Sequence, residues 1–162
     1  MKREENHLIV QEMNGWNMEI GEHGYVFLER EHWRGESMMP PFSRLYLVMS
    51  GNGWIRMGDT LLRLQAGRAY LLPAGLSIQY GCDDYVKKLY FHLRLIRPDG
   101  YDLAEGAPFV AQCPLEQAQL TEMLGYYRGQ SWRDVLRLQQ QIGGLAIQLL
   151  EQYEVLGQPL RT

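Results

Sequence analysis

The side chains able to do chemistry in this chain are concentrated in two alternating runs. One is Arg44-Leu45-Tyr46-Leu47-Val48-Met49-Ser50, the other Lys88-Leu89-Tyr90-Phe91-His92-Leu93-Arg94. Successive side chains of a strand point to opposite faces. Alternation therefore gives Arg44, Tyr46, Val48 and Ser50 one face, and Lys88, Tyr90, His92 and Arg94 another, each backed by an aliphatic face. Tyr80 and Tyr90 offer aromatic planes carrying a hydroxyl, which suits stacking under the C–H surface of a sugar. Arg44, Lys88 and His92 supply donors for hydroxyl or carboxylate groups. As a set they read as a binding surface for a small polar molecule. The plainer alternative is a strand that shows one polar face to water.

Other chemistries find less support. His7, His23, His32 and His92 contain no His-x-His pair, and Met38-Met39-Pro40-Pro41-Phe42-Ser43 offers no imidazole or carboxylate. Without converging ligands there is no Lewis acid and no activated water, so neither a metal nor another cofactor is expected. There is no Gly-x-Ser-x-Gly elbow, and neither Cys82 nor Cys113 has an adjacent base to activate it. Gly51-Asn52-Gly53 and Gly143-Gly144 lack the spacing and the lysine of a phosphate loop. Metal-free catalysis would need an acid–base pair, with His92 and Tyr80 or Tyr90 as its candidates.

Strands must position these residues, and the chain reads as strand after strand from about residue 43 to 112. Arg44–Met49 is followed by a turn at Ser50-Gly51-Asn52-Gly53. Then come Trp54–Met57, Leu61–Leu64, Ala69–Leu72, Ser77–Tyr80, a turn at Gly81-Cys82-Asp83-Asp84, and Lys88–Ile96. Short strands with glycine punctuation argue a sandwich or barrel. Ahead of them Tyr25–Leu28 has strand composition, and Pro40-Pro41 is a hard stop.

From Pro114 the period changes. A helix is expected over Leu115–Tyr127, with Pro114 in its first turn and Gly129 past its end. Ser131 caps a longer one from Trp132 to about Leu156. That helix carries two apolar stripes. Val135, Leu138, Ile142, Leu145, Leu149 and Leu156 form one; Trp132, Leu136, Ala146, Leu150 and Tyr153 form the other. One stripe suffices to dock a helix on its own sheet. The other needs a partner, so Val135, Leu138, Ile142, Leu145 and Leu149 are assigned to a homodimer interface.

Composition sets the class. With 162 residues, 46% hydrophobic and 22% charged, the chain suits one soluble globular domain. A net charge of −3 lacks the basic footprint of a stand-alone nucleic-acid binder. Cys82 and Cys113 match no metal or redox spacing; a disulfide between them is one reading, and two free thiols of a reducing compartment is the favoured one. The polar start has no apolar leader, and no run approaches the roughly 20 apolar residues of a membrane span. A cytoplasmic protein with no membrane partner is expected.

Three segments carry a family resemblance: Arg44-Leu45-Tyr46-Leu47-Val48-Met49-Ser50-Gly51-Asn52-Gly53, the corner Gly67-x5-Pro73-Ala74-Gly75, and Leu89-Tyr90-Phe91-His92-Leu93. In this order, ahead of a C-terminal helix pair, they resemble the N-terminal effector-binding and dimerisation domain of AraC-type transcription regulators. The similarity covers residues 44 to 93. Leu93 stands where the family has a phenylalanine. The corner is the second signature of cupins, but Ile78 stands where metal-binding cupins place a histidine. Gln79 lies beside it at the same corner.

The resemblance implies an all-β cupin-type jelly-roll barrel with two C-terminal α-helices, mainly β and α+β overall. It implies an N-terminal arm over residues 1–14, an effector-binding barrel over 15–112 and a helical dimerisation segment over 113–162. The positions matching Ser50, Tyr80, Lys88 and Tyr90 would point into the barrel. The ligand set is then Arg44, Tyr46, Ser50, Gln79, Tyr80, Lys88, Tyr90 and His92, around a sugar or other small polar metabolite. The arm would fold over the barrel mouth. DNA would be bound only by two helix-turn-helix units after a linker starting at Leu160-Arg161-Thr162. The alternative is a metal-independent cupin enzyme such as a sugar isomerase or epimerase.

Overall fold

The computed structural model describes residues 1–160, so the expected linker start at Arg161 and Thr162 lies outside the described residues. Along the chain come α1 (His7–Gly15), β1 (Asn17–Glu29), β2 (Gly35–Ser37), β3 (Ser43–Met57), β4 (Thr60–Arg63), β5 (Arg68–Leu72), β6 (Ile78–Ile96), β7 (Ala111–Pro114), α2 (Gln117–Tyr127) and α3 (Trp132–Leu150). A short 3-10 turn, Glu154–Gly157, follows. The seven strands form one antiparallel sheet in the order β1-β6-β3-β5-β7, with β2 on β6 and β4 on β3. The fold is therefore β-rich, of α+β class.

β3 and β6 are longer than their sequence suggests, because two expected turns are irregularities inside strands. At Ser50-Gly51-Asn52-Gly53 the pairing of β3 with β6 shifts register twice and continues. Gly51 sits at φ +104°, and a Cβ there would lie 2.3 Å from the carbonyl oxygen of Tyr85. Only glycine lets the two backbones approach so closely. The Asn52 Oδ1 then accepts the backbone N–H groups of Asp84 (2.9 Å) and Tyr85 (3.2 Å), filling the gap in the ladder. Gly81-Cys82-Asp83-Asp84 likewise stays within β6, opposite this irregularity. The true reversal comes at Gly58-Asp59, between the paired Met57 and Thr60.

The sheet has two apolar faces. Leu45, Leu47, Leu89, Phe91, Leu93 and Leu95 are buried under the helices, against Leu120, Met123, Ile142, Leu145, Ala146, Leu149 and Leu150. Each of these Leu, Ile, Phe and Met side chains contributes about 1.5–3 kcal/mol on leaving water. The other face holds Tyr46, Val48, Ile55, Leu64, Tyr70, Leu72, Ile78, Cys82 and Val86. Both ends of β3 and β6 send residues into this second cluster, so the sheet curls around it.

The helices depart from expectation in three ways. Pro114 ends β7 rather than starting α2, whose N-cap is Glu116. Ser131 does cap α3, in a reciprocal box with Asp134. α3 ends at Leu150, however, because Tyr153 is tied to the sheet instead: its hydroxyl accepts the Ala111 N–H (3.1 Å) and donates to the Phe109 carbonyl (2.6 Å). Finally, the stripe assigned to a partner is largely used at home. Ile142, Leu145 and Leu149 are buried in the intrachain core, Leu138 packs half-buried against it, and only Val135 is exposed. At the other terminus α1 buries none of its residues, and Gly15 lies against the Pro98 ring.

A Gly51→Ala variant is expected to lose about 2 kcal/mol of stability or more in urea denaturation, from positive-φ strain and the clash with Tyr85. A change below about 0.5 kcal/mol would mean that the strands do not approach there.

Candidate functional site

The register of β3 on β6 builds the site in three rungs. Arg44 pairs with His92, Tyr46 with Tyr90 and Val48 with Lys88. All six side chains stand on the inner face, because none of these rungs lies beyond the irregularity at Ser50. Lys88 is only 2% exposed. Its Nζ lies 3.4 Å from the Tyr46 ring centroid, 4.1 Å from that of Trp33 and 5.4 Å from that of Tyr90. Trp33 comes from the turn between β1 and β2. Its indole also packs on Tyr80, with centroids 5.1 Å apart. Gly53 makes room for it: a Cβ there would lie 3.4 Å from the indole and 3.2 Å from Leu64.

At the outer end of the rungs His92 stacks on Phe42, with centroids 4.3 Å apart. Glu22 from β1 reaches both rung tyrosine and histidine. Its Oε1 accepts the Tyr90 hydroxyl at 2.9 Å, and its Oε2 lies 3.7 Å from His92 Nδ1.

Electrostatically the inner face is unusual. Burial, and then the Arg44 charge, hold the Lys88 amine well below the ordinary lysine range. Three aromatic faces favour the ammonium by about 0.5–2 kcal/mol, which offsets only part of its desolvation. Arg44 is also buried, and its Nε has no hydrogen-bond partner. Burial raises the Tyr46 hydroxyl, with Arg44 opposing. The Tyr90 hydroxyl is pushed up to about 12 by burial and by its bond to Glu22. Burial lowers His92, with Glu22 opposing.

Six of the eight expected ligand residues thus lie together: Arg44, Tyr46, Tyr80, Lys88, Tyr90 and His92. Two do not. Ser50 is turned away, since a bulge places two residues of one strand against one of its neighbour and reverses the alternation beyond it. Gln79 is exposed and donates to Glu36 Oε1 at 3.2 Å. Its neighbour Ile78 is core. Three contributors escaped the sequence reading: Trp33, Glu22 and Phe42. Trp33 left one usable signal, a lone indole within the charged run Glu29-Arg30-Glu31-His32-Trp33-Arg34.

Two open depressions of about 390 Å³ lie elsewhere, one beside Arg97, Asp102 and Tyr153, the other beside Arg30, Arg34 and Trp54. Among the described residues no three His, Cys, Asp or Glu side chains converge as metal ligands would. Both cysteines are free and buried. No helix among the described residues is long and apolar enough to cross a membrane. Compared with known proteins, the chain matches no family model, and no curated protein matches it significantly.

A Lys88→Met variant is expected to be more stable than the parent at neutral pH by about 1–4 kcal/mol, since an apolar chain replaces a buried lysine that forms no ion pair among the described residues. The sign of the pH dependence follows from the lowered pKa. The unfolded chain binds a proton at Lys88 that the folded chain resists, so this residue's contribution rises with pH until the unfolded lysine itself titrates, near about 10.4. Urea denaturation from neutral to alkaline pH should show that rise in the parent and its absence in the variant. Destabilisation by methionine would mean that the amine has a partner in the folded protein.

Proposed function

We propose that this chain is a small-molecule sensing and homodimerising domain of the AraC type, built on a cupin-like jelly-roll barrel. The observation that carries this reading is the convergence of Arg44, Tyr46, Tyr80, Lys88, Tyr90 and His92 on the inner face of the curled sheet. A buried guanidinium nitrogen without a partner, beside aromatic planes, is what a small polar ligand requires. The corner motif adds support, with Gly67 and Gly75 both at positive φ (+77° and +85°) as a tight corner demands. DNA binding, in this reading, belongs to helix-turn-helix units outside this sequence. Ligand would act by its differential affinity for two arrangements of the domain.

Dimerisation through α3 is proposed in a different register from the one read off the sequence. Trp132, Val135, Leu136 and Ile147 are exposed apolar residues of α3, at 78, 52, 59 and 48%. They remain available once Ile142, Leu145 and Leu149 are committed to the core. A second reading, metal-free acid–base catalysis, draws on the Glu22 carboxylate that contacts both Tyr90 and His92. Turnover of a sugar by the parent, abolished in His92→Ala, would favour it over sensing.

Two measurements test the main reading. A library of small polar metabolites should contain a compound that raises the melting temperature saturably, by the equivalent of about 2.7 kcal/mol at a hundredfold excess over Kd. No saturable shift from any compound would sink it. In sedimentation, Leu136→Glu is expected to weaken the dimer by about 30-fold or more, as loss of an interface anchor does. A parent that sediments as a monomer at all concentrations would remove the dimer.

A further inference from the structure

We propose that the ligand of the inner site is a small organic carboxylate, held between Arg44 and Lys88. This rests on the sensing reading above and specifies the ligand's charge. Arg44 and Lys88 are 7% and 2% exposed, the only Arg or Lys residues among the buried polar side chains of the described residues. Surface ion pairs occupy Arg3, Arg30, Arg63, Arg94 and Arg97, but neither Arg44 nor Lys88 takes part in any ion pair among the described residues. Arg44 Nε has no acceptor, and Lys88 Nζ faces aromatic rings.

The groups around Lys88 offer no counter-charge. From β3 come Arg44 and Tyr46; from β6 come Cys82, Tyr90 and His92. From β1 comes Glu22, whose side chain is 68% exposed and already engaged by Tyr90 and His92. Two basic groups desolvated on one wall, neither ion-paired with a carboxylate, are a costly arrangement. A neutral sugar would leave that cost in place, because hydroxyls do not neutralise charge. A carboxylate removes it, with a guanidinium fork matched to its two oxygens.

The rest of the wall fits the body of such a ligand. Tyr46 and Tyr90 sit on strands and present flat faces, suited to a ring or a C–H surface. Trp33 is the one ring around Lys88 carried by a turn rather than a strand. Binding should also take up a proton. A carboxylate beside the amine restores the ammonium form that burial disfavours, and affinity then falls as pH rises.

Thermal melts of the whole chain at constant ionic strength test this, using matched probes: benzoate against benzyl alcohol, galacturonate against galactose, and inorganic phosphate as a further anion. The expected result is a saturable rise in melting temperature with an acid and none with its neutral partner or with phosphate. Lys88→Met should remain folded, melt higher than the parent without ligand, and bind the acid at least tenfold more weakly. Arg44→Gln should lose the response as well. A response to galactose or benzyl alcohol without one to the acids would overturn the carboxylate while leaving sensing intact. Equal acid responses in parent and Lys88→Met, or a phosphate response matching the acids, would overturn the assignment. Silence from every probe would overturn it too, whereas the sensing reading falls only with the wider metabolite library.

Discussion

The pairing of β3 with β6 is the constraint from which the other features follow, because its register decides which side chains meet and its irregularity decides where the sheet bends. On one side of Ser50 the alternation sends Leu45, Leu47, Leu89 and Phe91 to the helices and Arg44, Tyr46, Lys88 and Tyr90 to the inner face. Beyond it the shifted register turns Ser50 outward and brings Gly53 and Ile55 back inside. The close approach at Gly51 and the bonds from Asn52 hold that bend without a break in the ladder. A single flat sheet could bury one face under α2 and α3. Only a bent one can also enclose Trp33 and Lys88.

That enclosure creates the electrostatic character of the site. In water an amine and a guanidinium a few side chains apart are unremarkable. Desolvated on the inner face, the Lys88 amine has its charge disfavoured by burial and then by Arg44, and burial outweighs what three aromatic rings return. The carboxylate at hand, Glu22, sits at the exposed end and is shared by Tyr90 and His92. The inner site is thereby divided into a compensated rim and an uncompensated interior. A polar surface strand has no such division, because its charges are answered by solvent.

The helical layer shows the same competition between local pattern and global demand. α3 carries more apolar surface than one interface needs, which was legible in its periodicity. Which stripe would face the sheet was not. The sheet takes Ile142, Leu145, Ala146, Leu149 and Leu150 together, a face wider than either stripe, and leaves Trp132, Val135, Leu136 and Ile147 outside. Tyr153, read as a continuation of the helix, instead ties the chain to Phe109 and Ala111 and so ends it.

Local sequence determined much of this protein. Alternation in residues 44–50 and 88–94 fixed two strands and their polar faces, Ser131 and Asp134 fixed the start of α3, and the aliphatic faces fixed a buried sheet. Those features depend on neighbours in the chain, so period and propensity suffice to find them. Tertiary structure alone decided the rest. A glycine-rich tetrapeptide reads the same whether it reverses a strand or kinks it, and only the partner strand, reaching past Gly51 to Tyr85, selects the kink. Trp33 and Glu22 enter the site across the sheet from segments with no local pattern of their own. Whether Arg44 and Lys88 are solvated or stripped of water depends on what closes over them, and that is set by the curl of the whole sheet rather than by any run of residues within it.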